Sequence, residues 1–106
     1  MSIPRRERRR DHLYIMAQIL IEAQTPTLKT HIMYKLNMSY RQLMEYLKLM
    51  KDLELLEVIR DEKGEPRAYK TTKQGFHYLE LYGEIRELLK KEGLFGKTDY
   101  QEVRAK

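Results

Sequence analysis

The stretch from Leu28 to Met50 constrains the fold of this chain more than any other part of the sequence. Apolar residues recur every fourth position from Leu28 to Leu36, and at spacings of three and four from Leu43 to Met50. These are the spacings of a helix face. Only the short segment Asn37 to Ser39 separates the two sets. The pattern therefore predicts two helices joined by a very short turn.

The turn carries the signals of a new helix rather than of a kink in a continuous one. Ser39 is followed three residues later by Gln42, a pair that forms a capping box at a helix start. Met38 and Leu43 stand at the positions where a hydrophobic staple fixes the direction of entry. Helices joined this tightly cannot lie side by side in parallel. The stretch therefore predicts a helix-turn-helix, whose second helix enters a DNA major groove.

Beyond Leu53 the pattern changes from a helical period to the alternation of strands. Two alternating segments flank the turn-rich stretch Asp61 to Pro66, which predicts a β-hairpin. Thr27 and Thr72 are placed to cap the helices that follow them. The predicted elements are a first helix Arg8 to Ala23, a short strand Thr25 to Thr27, helices Leu28 to Leu36 and Tyr40 to Leu53, strands Leu56 to Arg60 and Arg67 to Thr71, and a last helix Lys73 to Glu92.

A helix-turn-helix followed directly by a hairpin is the winged-helix arrangement, with the hairpin as the wing. The predicted fold class is α+β, mainly α: a winged helix-turn-helix with a long C-terminal dimerisation helix. At 106 residues the chain suffices for one domain with a modest core. Its predicted parts are a basic arm (1–8), the winged domain (9–72), the dimerisation helix (73–92) and a tail (93–106) with few apolar residues to anchor it.

The net charge of +5 is unevenly placed along the chain. Residues 1–10 hold five arginines and one glutamate, a balance of +4, whereas residues 11–106 hold 16 basic and 15 acidic residues, a balance of +1. The body is therefore nearly neutral. Any attraction to phosphates must come from the arm and from the way the charges of the body are arranged.

Composition favours a cytoplasmic protein, and DNA binding, if present, would make it nucleoid-associated. Charged residues make up 35% of the chain and cysteine is absent, as is common in reducing compartments. No apolar run approaches the length of a membrane span, and no apolar signal-peptide region follows the N-terminal arginines. We therefore expect no membrane partner.

Three motifs resemble a family of small archaeal winged-helix proteins. The run from Lys29 to Tyr40 resembles the family signature KTxIMYxxNLS(F/Y), the run from Gln42 to Leu47 its QLxxYL, and the run from Tyr69 to Gly75 its YxxTxKG. The resemblance covers roughly Arg9 to Leu89 and implies transcription regulators or chromatin-type DNA-binding proteins. Several members dimerise through the C-terminal helix as an antiparallel coiled coil. The arginine arm and the tail are not part of the signature.

Residues of the third helix that the core does not use are expected to face DNA. Arg41 suits guanine, Gln42 suits adenine, and Glu45 can accept from cytosine although it repels phosphates. Phosphate contacts are expected from the arm, the start of the second helix and the wing. The predicted DNA-binding residues are Arg5, Arg6, Arg8, Arg9, Arg10, Lys29, Thr30, Ser39, Tyr40, Arg41, Gln42, Met44, Glu45, Lys48, Lys63 and Arg67.

The last helix has more apolar surface than one domain needs. Phe76, Leu79 and Tyr82 are expected to pack on the winged domain. A second stripe, at the spacings of a coiled-coil seam, is expected to pair with a second copy of the chain. The predicted dimerisation residues are Tyr78, Leu81, Ile85, Leu88 and Leu89. A two-fold homodimer would present its two third helices to half-sites about one DNA turn apart, or a multiple of that distance.

No pattern in the sequence supports catalysis. The three histidines are isolated, cysteine is absent, and the glycines form no phosphate-binding loop, so no enzyme activity, metal or cofactor is expected. The main prediction is a dimeric transcriptional regulator that binds double-stranded DNA through the helix from Ser39 to Leu53. Two alternatives remain open: a winged-helix module for protein–protein interaction, and a sequence-independent chromatin protein.

Overall fold

The computed structural model describes residues 11–90. The elements in chain order are α1 His12–Glu22, β1 Thr27–Leu28, α2 Lys29–Leu36, α3 Tyr40–Asp52, β2 Leu56–Arg60, β3 Pro66–Thr71 and α4 Lys73–Lys90. The strands form one antiparallel sheet in the order β1-β3-β2. The predicted fold class is confirmed: a mainly helical chain in which the helix-turn-helix, α2 and α3, is followed by the β2-β3 wing. The predicted arm and tail lie outside the described residues.

Helix α1 begins at His12 rather than at Arg8, where the sequence placed its start. The backbone of Asp11 is extended, and its Oδ1 accepts a hydrogen bond from the Tyr14 amide at 2.7 Å. An aspartate in this position satisfies one of the free N–H groups of the first turn, so the helix starts after it. From Tyr14 to Ile21 every residue except Gln18 is buried, which makes α1 the centre of the core.

The connection from α1 to α2 also differs from the prediction. The first strand is Thr27–Leu28 and not Thr25 to Thr27. Thr27 does not cap α2, because the helix begins one residue later than predicted; its Oγ1 instead donates to the carbonyls of Thr25 at 2.7 Å and Glu22 at 2.9 Å. Leu28 takes the cap position, with an extended backbone and no side-chain hydrogen bond.

The turn between α2 and α3 closes one helix and opens the next. Asn37 adopts a left-handed conformation with φ 56°, and the Met38 amide donates to the Met33 carbonyl at 3.0 Å. Asparagine tolerates this conformation better than most residues. Ser39 Oγ accepts from the Gln42 amide at 3.1 Å, while Gln42 Oε1 accepts from the Ser39 amide at 3.3 Å. The predicted capping box is confirmed.

Helix α3 ends in the same way as α2. Glu54 has φ 63°, and the Leu55 amide donates to the Met50 carbonyl at 2.8 Å. Leu55 and Met38 each follow the left-handed residue, and both are buried. The C-terminal ends of α2 and α3 are therefore each followed by a residue that packs into the core.

The sheet is fixed to α1 through Thr71 at the end of β3. The Thr71 amide donates to the Ala23 carbonyl at 2.7 Å, and its buried Oγ1 donates to the Leu20 carbonyl at 2.7 Å. At its other end β3 begins at Pro66, one residue earlier than predicted, opposite Arg60 and beside an irregularity in the pairing. Proline is tolerated at the first residue of a strand, where no ladder bond is lost.

Helix α4 starts at the predicted cap, Thr72. The Thr72 hydroxyl accepts from the Gly75 amide at 3.0 Å and donates to the Glu54 carbonyl at 2.6 Å, which ties α4 to the end of α3. A Cβ atom on Gly75 would collide with the Leu55 carbonyl and lie 2.6 Å from Thr71 Cγ2. Only glycine lets α4 approach this closely.

The face that α4 turns toward the domain agrees with the sequence at two of three positions. Tyr82 is buried and Leu79 packs against the core, as predicted. The prediction is wrong for Phe76, whose side chain is 42% exposed. Gly75 occupies the point of closest approach, and the neighbouring residue is turned about 100° around the helix away from it.

Candidate nucleic-acid interface

Helix α3 turns one face toward the core and the opposite face outward. Leu43, Leu47 and Met50 are buried. Met44, one of the predicted DNA-binding residues, is half-buried and packs against the core, which leaves less of its side chain available to DNA. The predicted outward residues that the structure does expose are Ser39, Tyr40, Arg41, Gln42, Glu45 and Lys48.

Two cations on the outward face of α3 are each paired with a carboxylate one turn later. The Arg41 side chain is 90% exposed, and its Nε lies 3.8 Å from Glu45 Oε2. Lys48 Nζ lies 3.3 Å from Asp52 Oδ2, and Lys51 Nζ lies 3.7 Å from the other oxygen of the same aspartate. Exposed pairs contribute about 1 kcal/mol or less, so either cation can exchange its partner for a DNA group at little loss.

The capping box restricts what Gln42 can recognise. Its Oε1 accepts from the Ser39 amide and also lies 3.4 Å from Ser39 Oγ. A bidentate contact with adenine uses both the oxygen and the nitrogen of the amide group. Gln42 must therefore leave the capping box before it can read adenine, and the backbone N–H of Ser39 is occupied until then.

The first turn of α2 lies beside the first turn of α3. Lys29 Nζ stands over the Tyr40 ring, 5.5 Å from its centroid. Thr30, the next residue of α2, is exposed. The free N–H groups of a helix start favour phosphate, and a lysine and a hydroxyl at the same end add to that preference. These predicted phosphate contacts are thus placed next to the outward face of α3.

The tip of the wing is a closed turn. Asp61 Oδ1 accepts from the amides of Lys63 and Glu65, both at 2.9 Å. The side chains of Lys63 and Arg67 are exposed, so the turn leaves both cations accessible to a phosphate. Their contact with DNA stays a prediction.

The sequence pattern of winged helix-turn-helix proteins matches residues 9–90. The chain belongs to the winged helix-turn-helix family. Two solved structures have a similar fold. A mutant of MepR from a multidrug-resistant S. aureus clinical isolate gives a TM-score of 0.60 at 11% identity, covering 91% of this chain and 71% of that one. A mutant of Lactococcus lactis ZitR gives 0.50 at 20% identity, covering 86% and 67%. A search of curated proteins gave no match.

In this winged helix-turn-helix protein the start of α1 is attached to α3. His12 Nδ1 and the Tyr46 hydroxyl are 2.6 Å apart, and the two ring centroids are separated by 5.9 Å. The chain therefore enters the described structure beside α3. The predicted arm residues Arg5, Arg6, Arg8, Arg9 and Arg10 precede this point and lie outside the described residues.

Sequence reasoning missed two features of this site. The contact between His12 and Tyr46 joins residues 34 positions apart, and no local pattern announces it. Asp52 was also missed as the partner of Lys48, although its spacing of four residues was a visible signal.

The outer surface of α4 is apolar. Leu81, Ile85 and Leu88 are 45%, 49% and 65% exposed, and by their spacing they form one stripe, named here the α4 stripe. Leu89 is half-buried. An exposed row of this kind on a winged helix-turn-helix protein is a surface that another apolar surface can cover.

Tyr78 lies between the α4 stripe and the core. Its hydroxyl donates to the Leu13 carbonyl at 2.8 Å, and its ring stacks on Tyr82. Burial first, and then the electrostatic effects of Tyr82, Asp11 and Tyr46, raise the pKa of Tyr78. The hydroxyl therefore stays protonated and keeps its bond to α1. In the described chain this predicted dimerisation residue packs largely on its own domain.

Two further observations concern other kinds of site. Within residues 11–90, no three or more histidine, aspartate or glutamate side chains gather where they could hold a metal ion. In the same range no helix combines the length and the apolar character needed to cross a membrane.

Proposed function

We propose that this chain is a homodimeric transcription regulator that binds double-stranded DNA with α3 in the major groove. The observation that carries the proposal is the polar, exposed face of α3, which begins at the capping box and presents Arg41 at 90% side-chain exposure. The fork of an arginine matches O6 and N7 of guanine. Lys48 on the same face and Lys29, whose Nζ stands over the Tyr40 ring, would bind phosphates.

The charges of α3 alone support only weak binding. Its outward cations are paired with Glu45 and Asp52, so the face is close to neutral. Five arginines among residues 1–10 precede His12 in the sequence, and His12 contacts Tyr46 of α3. We therefore assign most of the sequence-independent affinity to the arm, and association with the nucleoid follows from it.

Pairing of two chains through the α4 stripe completes the proposal. Leu81, Ile85 and Leu88 remain exposed in the single chain, and covering them would remove apolar surface from water. An antiparallel pair of α4 helices would agree with the family resemblance.

A salt titration of duplex binding tests the proposed function. The full chain is mixed with a labelled duplex and the affinity is measured from about 50 to 300 mM salt. We expect log affinity to fall linearly with log salt, by about 0.9 per phosphate neutralised, with a total that corresponds to several phosphates. Lys48→Ala should reduce that slope by about one unit, whereas Lys73→Ala on α4 should leave it unchanged. Absence of binding at the lowest salt contradicts the proposal.

A protein–protein interaction module is the second candidate function. Leu49 and Leu53, at the far end of α3, are 45% and 47% exposed, and an apolar partner surface would cover them. The salt titration separates the two candidates, because such a module would bind no duplex. Among DNA-binding functions, a regulator and a sequence-independent chromatin protein differ in the ratio of their affinities for a selected and a random duplex.

A further inference from the structure

The geometry points to Glu45 as a specificity-determining residue of the DNA interface, an inference that rests on the proposed function. When Arg41 turns to a phosphate of a random sequence, the Glu45 carboxylate loses its partner and is repelled by the DNA backbone. At the correct site the freed carboxylate accepts a hydrogen bond from the amino group of a cytosine. Glu45 thus weakens binding to the wrong sequences more than to the right one.

The two side chains are placed for such an exchange. Arg41 Nε and Glu45 Oε2 are 3.8 Å apart, and the side chains are 90% and 72% exposed, so both can turn outward without a change in the core. Arg41 and Glu45 are four residues apart, which corresponds to a rise of about 6 Å along α3. Bases on one strand follow at about 3.4 Å, so the two side chains reach positions roughly two base pairs apart. Arginine suits guanine, and glutamate suits the cytosine amino group.

Whether Glu45 weakens or strengthens DNA binding depends on the DNA sequence. On a random duplex Arg41 turns to a phosphate, and the carboxylate left beside the DNA backbone is repelled by it. On a duplex with guanine and cytosine in the right places, both ends of the pair acquire hydrogen-bond partners. The same residue therefore opposes the first complex and supports the second.

A second ion pair on the same face supplies a matched comparison. Lys48 and Asp52 have the same spacing, with Nζ and Oδ2 3.3 Å apart. Lysine is a compact charge that suits phosphate and has no planar fork for a base. Asp52 also contacts Lys51 at 3.7 Å, so a base is not its natural partner. Asp52 should oppose every duplex to the same degree.

The experiment compares Glu45→Gln with Asp52→Asn in the full chain. Affinity is measured at fixed salt for a duplex recovered by selection from a random pool and for a scrambled duplex of equal length. Glu45→Gln should tighten binding to the scrambled duplex about fivefold and leave the selected duplex unchanged or weaker, so their ratio falls about fivefold. Asp52→Asn should tighten both by a similar factor and leave the ratio unchanged. Circular dichroism checks that both variants keep the helical fold.

The results distinguish failure of this inference from failure of the proposed function. If wild-type protein binds duplex DNA and Glu45→Gln shifts both duplexes equally, or shifts neither, the inference is overturned while DNA binding stands. If the wild-type protein binds no duplex at low salt, the proposed function falls and the inference falls with it. A repeated selection with Glu45→Gln supplies a second readout, since it should lose a cytosine preference that the wild-type protein shows.

Discussion

The outward faces of α3 and α4 are built from different side chains. The α3 face carries Arg41 and Lys48, each within 4 Å of a carboxylate on the same helix. The α4 face carries Leu81, Ile85 and Leu88, at 45% to 65% exposure. The α3 face is charged and can exchange its ion-pair partners, whereas the α4 face is apolar and is left exposed by residues 11–90.

This difference supports the different partners proposed for the two helices. Charged pairs stay favourable in contact with a hydrated polyanion, where each cation finds another oxygen and water remains at the interface. An apolar stripe gains free energy only when water is removed from it, which a second apolar helix does. The comparison therefore supports the proposal that α3 binds DNA and that α4 binds a second chain.

The two helices are held in a fixed relation by a small contact region. Thr72, the cap of α4, donates to the Glu54 carbonyl just after α3. Gly75 packs directly against the carbonyl of Leu55. Because these contacts are short and made to backbone atoms, a dimer formed by α4 would set the distance between two α3 helices.

Gly75→Ala should have the largest effect, because it separates the two helices. The added Cβ would meet the Leu55 carbonyl and Thr71 Cγ2, and Leu20 Cδ2 at 3.1 Å. We expect a loss of about 3 kcal/mol in the free energy of unfolding, measured by urea titration. Gly83→Ala is the control, because a Cβ atom at position 83 would meet only Nη2 of Arg86, at 4.0 Å. It should raise stability by up to about 1 kcal/mol. Equal effects at both positions would contradict the close packing of α4.

Replacement of Ile85 and Leu88 by glutamine should abolish pairing of the chains without unfolding them. Both side chains are exposed in the single chain, so the fold does not depend on them, whereas a dimer would bury both on each subunit. The dimer dissociation constant should rise about a hundredfold or more, as followed by analytical ultracentrifugation. Phe76→Gln, an exposed apolar residue outside the α4 stripe, should leave it unchanged. A dimer that survives the double replacement would place the interface elsewhere.

Arg41→Ala should lower the preference for a selected duplex over a scrambled one by about tenfold or more. The reason is the loss of a two-pronged contact with guanine, which no phosphate contact replaces. Lys48→Ala should weaken both duplexes by a similar factor, as anisotropy titrations would show. Uniform loss in Arg41→Ala would make Arg41 a phosphate contact and remove base reading from this position of α3.

Glu54→Gly and Asn37→Gly should have the smallest effects, with a gain of about 1 kcal/mol in the free energy of unfolding for Glu54→Gly. Glu54 has φ 63°, which glycine adopts freely and glutamate does not. Asn37→Gly should gain less, because asparagine tolerates the equivalent conformation at the end of α2. Thermal unfolding of both variants checks the order. A loss in Glu54→Gly would mean that the carboxylate stabilises the contact between α3 and α4.

The parts of the fold that the sequence predicts are those set by nearby residues. The capping box at Ser39 and the cap at Thr72 use partners three residues away, and the hairpin depends on its own turn. The predicted start of α1 at Arg8 was wrong because Asp11 caps the helix, and this capping was not considered in the sequence. The exposure of Phe76 follows from the packing of Gly75 against Leu55, a contact between distant segments.

In the candidate site, too, features set by nearby residues were predicted and features set by contacts between distant segments were not. The outward face of α3 follows from helical spacing, and so its exposed residues were foreseen. The sequence predicted the hydrogen bonds of the capping box between Ser39 and Gln42. It did not show that these bonds occupy the Gln42 amide oxygen, which a contact with adenine would need. The contact between His12 and Tyr46 depends on how α1 crosses α3, which no pattern along the chain specifies.

We propose that α3 binds DNA and that α4 binds a second chain. The most direct test is selection of bound sites from a random duplex pool with the full chain. We expect each enriched site to contain two half-sites related by a two-fold axis. The two half-sites should be separated by about one DNA turn or a multiple of it. Each half-site should contain a guanine that Arg41→Ala no longer requires. A pool that binds without any enriched sequence, or enriched sites without two-fold symmetry, would contradict the account.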